Sequence, residues 1–366
     1  MKIVCTVENL KTAALISERF TGKHITLPIL SHLLCKADEK RILIIATNLE
    51  IGVEYTLSGR VQKSGSVTIP ARAVAQLLQS LSEDTLTLEG RQQQVIFYTP
   101  SSEITILGLN PSDFPNLPII KKEHSLNISA AQLIEALERV LSAAATTDLK
   151  PELAGVLLSV REDKIVLVAT DSFRLAEVTF NYKPGERNVT EWIIPVRAAQ
   201  EIMRIVPKDM DKEVRVSAGE RQILFEWEEV KILSRLIDGA YPPYQSIIPE
   251  TYETTLVTKR DELIKKIRLA AVFSSRLNDV TLRYSPTSLE VSTANAETGS
   301  TTSRLPAKGR GVSGTAVFNY RYLTDGIDGA GGEHVVLNLN GVSGPTLIQN
   351  PADTSYRYLV MPIRSV

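Results

Sequence analysis

The chain has 366 residues with 41 Lys plus Arg against 42 Asp plus Glu, a formal charge of −1 at pH 7, and 43% hydrophobic residues. This composition excludes a disordered chain, and the balanced charge leaves no chain-wide attraction to nucleic acid or membrane, so any such attraction must come from local clustering. Two cysteines, Cys5 and Cys35, argue against a disulfide framework and fit a reducing compartment. The amino-terminal apolar run is broken by Glu8, and no segment approaches membrane-spanning length, so a cytoplasmic protein is expected.

Taken in order, Val7 to Phe20 places Leu10, Ala13, Ala14 and Leu15 at helical spacing and predicts an amphipathic helix. Leu33 to Leu57 follows as an apolar run, a charged turn, a β-branched run, the corner Ala46-Thr47-Asn48 and a further extended run, which predicts an antiparallel meander. The same order returns twice. A helix over Ser129 to Ala144 precedes the meander Leu157 to Phe180 with its corner Ala169-Thr170-Asp171, and a helix over Lys259 to Phe273 precedes Thr281 to Leu305 with Thr293-Ala294-Asn295. The corners Asn48, Asp171 and Asn295 are offset by 123 and 124 residues.

Each meander is followed by a short strand running into a second helix. Val67-Thr-Ile-Pro70-Ala-Arg72 matches Trp192-Ile-Ile-Pro195-Val-Arg197, and Ala316-Val-Phe-Asn319-Tyr-Arg321 is the third copy. The two prolines are predicted in the first helical turn, which tolerates them. Further strand-like runs close each unit, and turn-rich exits such as Asn110-Pro-Ser-Asp113 and Asp238-Gly-Ala-Tyr241 mark boundaries. A period near 124 residues thus divides the chain into three domains, expected at 1–122, 123–250 and 251–366. Each has an α+β plan of two helices packed on antiparallel sheets.

Leu27-Pro28-Ile29-Leu30, Ala169-Thr-Asp-Ser-Phe-Arg-Leu-Ala176 and Val360-Met-Pro-Ile-Arg364, with the threefold repeat, resemble the bacterial DNA polymerase III beta-subunit family, the sliding clamps. The resemblance covers the whole chain. It implies tandem clamp domains forming a half-ring, which dimerises head to tail into a closed ring around duplex DNA, with helices lining the hole. It also implies a non-catalytic processivity factor without cofactor or metal. Implied partners are double-stranded DNA, held without regard to sequence, the replicative polymerase, the clamp loader, and repair polymerases, mismatch-repair proteins and ligase. No membrane partner is implied, and the expected location is the cytoplasm in association with the nucleoid.

A ring that slides should touch DNA weakly, with scattered cations and little that reads bases. Arg72, Arg197, Arg204 and Arg321 on the second helices fit that need, and the resemblance adds Lys23 and Lys150 on loops. An aromatic pair that some members carry on the second-domain loop is replaced by Pro151 and Glu152, which puts stacking on DNA there in doubt. The resemblance further implies a pocket for a partner segment containing a glutamine and bulky apolar residues. Its matching positions run through the central domain, the linker and the tail: Leu153, Thr170, Ser172, Phe173, Arg174, Leu175; Pro242, Ile247; Val360, Met361, Pro362, Ile363, Arg364. Phe173 stands where some members have histidine. The dimer joint falls on Ile104 and Ile106 of an expected edge strand, and on Val272 and Phe273 at the end of a helix.

Other readings of the residues stay open at this level. Plain core packing accounts equally for Leu175, Val360 and the joint residues, and an exposed arginine is ordinarily just solvated. No phosphate-binding Gly-x-x-x-x-Gly-Lys-Ser/Thr loop is present, the four histidines are dispersed, and Asp171-Ser172 has no neighbouring base, so a turn-capping role fits better than a nucleophilic one. An enzyme with an interdomain site and a repeat scaffold that binds proteins without DNA are the alternatives.

Overall fold

The β-branched runs become strands and the Leu- and Ala-striped segments become helices in the computed structural model, which describes residues 1–22, 26–118, 120, 123–147, 149–161, 163–182, 190–209 and 211–364. The first domain holds β1 (Lys2–Thr6), α1 (Val7–Glu18), β2 (His32–Ala37), β3 (Ile42–Thr47), β4 (Ile51–Leu57), β5 (Arg60–Lys63), β6 (Gly65–Pro70), α2 (Ala71–Ser80), β7 (Thr85–Arg91), β8 (Gln94–Tyr98) and β9 (Glu103–Leu107). The second holds β10 (His124–Ser129), α3 (Ala130–Val140), β11 (Gly155–Arg161), β12 (Lys164–Thr170), β13 (Arg174–Asn181), β14 (Thr190–Pro195), α4 (Val196–Ile205), β15 (Glu213–Ala218), β16 (Gln222–Trp227) and β17 (Val230–Arg235). The third holds β18 (Thr254–Lys259), α5 (Arg260–Ala271), β19 (Asp279–Ser285), β20 (Ser288–Asn295), β21 (Gly299–Pro306), β22 (Lys308–Gly311), β23 (Gly314–Asn319), α6 (Tyr320–Ala330), β24 (His334–Leu339), β25 (Thr346–Asn350) and β26 (Asp353–Val360). The order of helix, meander, strand, helix and closing strands is kept in all three.

The sheets do not stop at the repeat boundaries. One eight-stranded sheet runs β10-β15-β16-β17-β4-β3-β2-β6, joined where β17 pairs antiparallel with β4, Val230 opposite Tyr55. A nine-stranded sheet runs β14-β11-β12-β13-β26-β25-β24-β18-β22, joined where β13 pairs with β26, Arg174 opposite Val360. A five-stranded sheet, β5-β1-β7-β8-β9, and a four-stranded sheet, β21-β20-β19-β23, complete the set. The chain accordingly separates into two compact units, 1–131 with 204–236 and 132–203 with 237–366. The central repeat contributes strands to both. Strand edges that the sequence pattern leaves unassigned find backbone partners in the next repeat, as unpaired edge groups must.

Local chemistry fixes the helix ends. The Thr6 side chain caps α1 by accepting from the Asn9 amide at 3.2 Å, and Asn319 caps α6 by accepting from the Arg321 amide at 2.9 Å. Pro70 and Pro195 are the last residues of β6 and β14, and the helices begin one residue later, so both sit just outside the first turn in which the sequence predicts them. In each unit a helix pair covers sheet surface, α1 against α2 in one and α5 against α6 in the other. Leu10, Ala13, Val74 and Leu78 are buried in the first pair, and Leu263, Ile267, Leu323 and Ile327 in the second. Each large aliphatic side chain so buried contributes about 1.5–3 kcal/mol.

Candidate peptide-binding pocket and nucleic-acid-facing helices

The turn between β12 and β13 is built by its own side chains. Asp171 Oδ1 accepts the amides of Phe173 and Arg174 at 2.9 and 3.0 Å, while Thr170 Oγ1 accepts the Ser172 amide at 3.2 Å and donates to the Arg174 carbonyl at 2.6 Å. This pattern holds Ser172 at φ 78°, a left-handed conformation that costs a non-glycine residue about 1–2 kcal/mol, and it turns Phe173 outward at 62% exposure. The first domain has the same turn bond for bond. Asn48 accepts the amides of Glu50 and Ile51 at 3.0 and 2.9 Å, Thr47 bridges Leu49 and Ile51, and Leu49 has φ 76°. In the third domain Asn295 accepts the Glu297 amide at 2.9 Å. The corner residues are turn caps.

Arg174, next along β13, is held from three sides. Its Nε meets Asp171 Oδ2 at 2.9 Å, its Nη1 meets Asp325 Oδ2 of α6 at 2.5 Å, and its guanidinium lies 4.1 Å from the centroid of the Tyr322 ring. Burial works against this charge, but neighbouring Tyr358 and Asp171 raise the Arg174 pKa and keep it cationic. Burial pushes the Asp325 carboxyl up, with Arg174 drawing it partly back. Stacking over an aromatic face together with a fork to two carboxylates is a guanidinium arrangement that lysine does not reproduce.

The carboxyl-terminal tail runs beside this corner. The Met361 amide donates to the Phe173 carbonyl at 2.8 Å, and the Ile363 amide donates to the Val317 carbonyl of β23 at 2.7 Å. An apolar cluster of Leu157, Val166, Val168, Leu175, Ile193, Tyr244, Leu347 and Leu359 lies buried on one face of the sheet, with Tyr241, Ile248 and Tyr252 packed on it. The corner, the tail and the linker around Tyr244 therefore belong to one compact unit.

The residues that the resemblance assigns to a pocket differ in burial. Leu153, Thr170, Leu175, Val360 and Pro362 are buried, Arg174, Pro242, Met361 and Ile363 are half-buried, and Ser172, Phe173, Ile247 and Arg364 are exposed. Ladder pairing and the tail bonds bring Thr170 to Leu175 together with Val360 to Ile363. Sequence reasoning missed Tyr322 and Asp325, which clamp Arg174 from α6, and Tyr244 in the buried apolar cluster beside the corner. The only available signal was the i,i+3 spacing of Tyr322 and Asp325, which places them on one helix face.

Arg72, Arg197 and Arg321 each occupy the second residue of their helix, α2, α4 and α6, and each is exposed. On α2, Gln76, Gln79 and Ser80 share the exposed surface, opposite buried Ala71, Val74, Ala75 and Leu78. A cation in the first turn opposes the helix macrodipole at about 0.3–1 kcal/mol, yet it adds to the N-terminal amides in attracting an anion such as phosphate. Arg204 is exposed near the end of α4, and Lys150 is exposed beside Leu149, which is 89% accessible. Lys23 lies outside the described residues.

Two sheet edges have apolar groups on or beside them. Strand β9 is the edge of the five-stranded sheet, with Ile104 and Ile106 half-buried and Leu107 67% exposed. Strand β21 is the edge of the four-stranded sheet, where the Phe273 ring stands beside Gly299. Around the end of α5, Leu269, Val272 and Leu277 are 47%, 68% and 66% exposed. Among the described residues, no group of His, Cys, Asp and Glu could hold a metal ion, and no helix is long and apolar enough to cross a membrane.

Sequence profiles of the DNA polymerase III beta subunit match in chain order: its N-terminal domain over residues 1–118, its central domain over 127–243 and its C-terminal domain over 245–364. The chain belongs to the DNA polymerase III beta-subunit family. Among related clamps, the beta sliding clamp of Synechococcus elongatus is 28% identical over 372 residues, which cover 100% of this chain and 99% of that one. The crystal structure of the Bacillus subtilis DNA polymerase sliding clamp superposes with a TM-score of 0.96 at 24% identity, covering 100% of both chains. A clamp from Bartonella birtlesii bound to griselimycin gives a TM-score of 0.95 at 25% identity, again over 100% of both. These likenesses establish three clamp domains of mixed α/β structure with antiparallel sheets.

Proposed function

We propose that the chain is a DNA sliding clamp, a non-catalytic processivity factor that acts as a homodimeric ring enclosing duplex DNA. The observation that carries this reading is the recurrence of Arg72, Arg197 and Arg321 at the second position of equivalent helices, exposed in each domain. One such arginine is surface decoration. Three at the same place, each against the helix dipole, supply phosphate-attracting points without base-reading groups, which suits enclosure with weak local contact. Whole-length similarity to sliding clamps supports the same reading over an enzyme or a protein-only scaffold.

The domains are assigned to 1–122, 123–250 and 251–366. The ring joint pairs β9, with Ile104 and Ile106, against the partner protomer's surface formed by Val272, Phe273 and edge strand β21. Joining two unpaired strand edges removes both from solvent and covers the apolar groups beside them. Partner proteins, including the replicative polymerase, the clamp loader and repair factors, dock a short segment on the corner around Phe173 and Arg174 and the tail from Val360 to Arg364. The protein works in the cytoplasm, on the nucleoid. Solution scattering with sedimentation tests the ring: two chains around a central opening are expected, and a compact particle without an opening overturns the assignment.

A further inference from the structure

The first turns of α6 carry groups that face two different tasks. Arg321 is exposed and stands in the DNA-facing set, whereas Tyr322 and Asp325 hold Arg174 at the rim of the peptide corner. Arg321 and Asp325 lie four positions apart, so they are neighbours on one helix surface. The Asp325 carboxylate is bonded to Arg174 at 2.5 Å, while Arg321, whose Nε donates to the Tyr320 hydroxyl at 3.3 Å, acts on it through space from one turn away and draws its burial-raised pKa down less strongly than Arg174 does. Its side chain is 38% exposed and that of Arg174 11% exposed, so the pair is only partly screened by water.

We infer that Asp325 is a shared counter-ion that couples the two surfaces, so that DNA against Arg321 weakens the binding of a peptide bearing an acidic group at Arg174. The inference rests on the clamp reading and gives that reading a regulatory consequence. A phosphate drawn to Arg321 takes that cation's field away from Asp325 and adds negative potential of its own. Asp325 then depends more heavily on Arg174. A guanidinium already bonded to Asp171 and stacked on Tyr322 has correspondingly less to offer an incoming carboxylate. Linkage makes the effect reciprocal, so an acidic peptide on Arg174 loosens DNA from Arg321 by the same factor. A tethered partner would therefore favour sliding over local grip.

Fluorescence anisotropy of a labelled synthetic peptide containing a glutamine, bulky apolar residues and one aspartate tests this. The intact dimer is titrated with and without a short duplex at a concentration that saturates each form, at low salt. The wild type is expected to bind the peptide about fivefold more weakly with duplex present, at the low end of ordinary allosteric coupling. Asp325→Asn and Arg321→Gln should each erase that difference, and a peptide with asparagine in place of its aspartate should show none in the wild type. Equal or tighter binding with duplex overturns the coupling alone. A difference that survives in Arg321→Gln also overturns it, because the duplex then competes directly for the corner. Absence of peptide binding in both conditions overturns the pocket and the coupling together.

Discussion

The amide of Met361 donates to the carbonyl of Phe173 at 2.8 Å, fastening the end of the chain to the outward-turned corner of the central domain. The same bond exists one repeat earlier, from the Arg235 amide to the Glu50 carbonyl at 2.9 Å. Beyond Met361 the Ile363 amide donates to the Val317 carbonyl at 2.7 Å, which keeps the tail beside the corner as one wall of the proposed docking site.

Deleting Met361 to Val366 removes that wall while leaving every strand of the nine-stranded sheet in place. Peptide affinity should fall by at least about tenfold, the loss of one apolar contact and one orienting bond. The sedimentation mass should be unchanged. Undiminished affinity would move the docking site elsewhere.

Ile104→Asp combined with Phe273→Asp places charge on both faces of the proposed joint. The double variant should sediment as a monomer with native circular dichroism. A dimer that persists relocates the interface.

Gly326 in α6 lies against the Tyr358 ring, so a methyl group there would overlap the ring. Gly326→Ala should cost about 1–3 kcal/mol in urea unfolding, as overpacking of a filled core does, despite alanine's better helix propensity. Lifting α6 from β26 should also disturb Tyr322 and Asp325, so peptide affinity should fall with stability. An unchanged midpoint would mean the helix gives way at no cost.

The paired helices and meanders were legible in the sequence because their apolar periods are long and occur three times. Asp171 was legible as a turn cap, and Asn48 and Asn295 as its matching corners, because a short side chain acting on the next amides is local chemistry. The continuation of β4 into β17 and of β13 into β26 was not, since backbone edge pairing leaves no mark in side-chain pattern. The same limit hid Asp325 and Tyr322, which reach Arg174 from a distant helix. Pro70 and Pro195 close β6 and β14 instead of entering the first helical turn, because both strands are sheet edges, where proline's missing amide removes no ladder bond.

Cys5 and Cys35 are buried, and burial pushes both thiols up to about 12. The reactive thiolate is therefore scarce at neutral pH and shielded from reagent. Ellman's reagent should label neither cysteine in the native protein at pH 8 and both after denaturation. Rapid native labelling would show that the first domain opens readily.

The central claim is that the protein holds DNA by enclosing it, with only weak local contact. Assembled by a clamp loader and ATP onto a nicked circular duplex, the protein should stay with the circle through gel filtration at about 1 M salt, where phosphate contacts are screened. Cutting the circle once should release it. Release from the uncut circle at that salt, or retention on the linear product with free ends, would contradict the account.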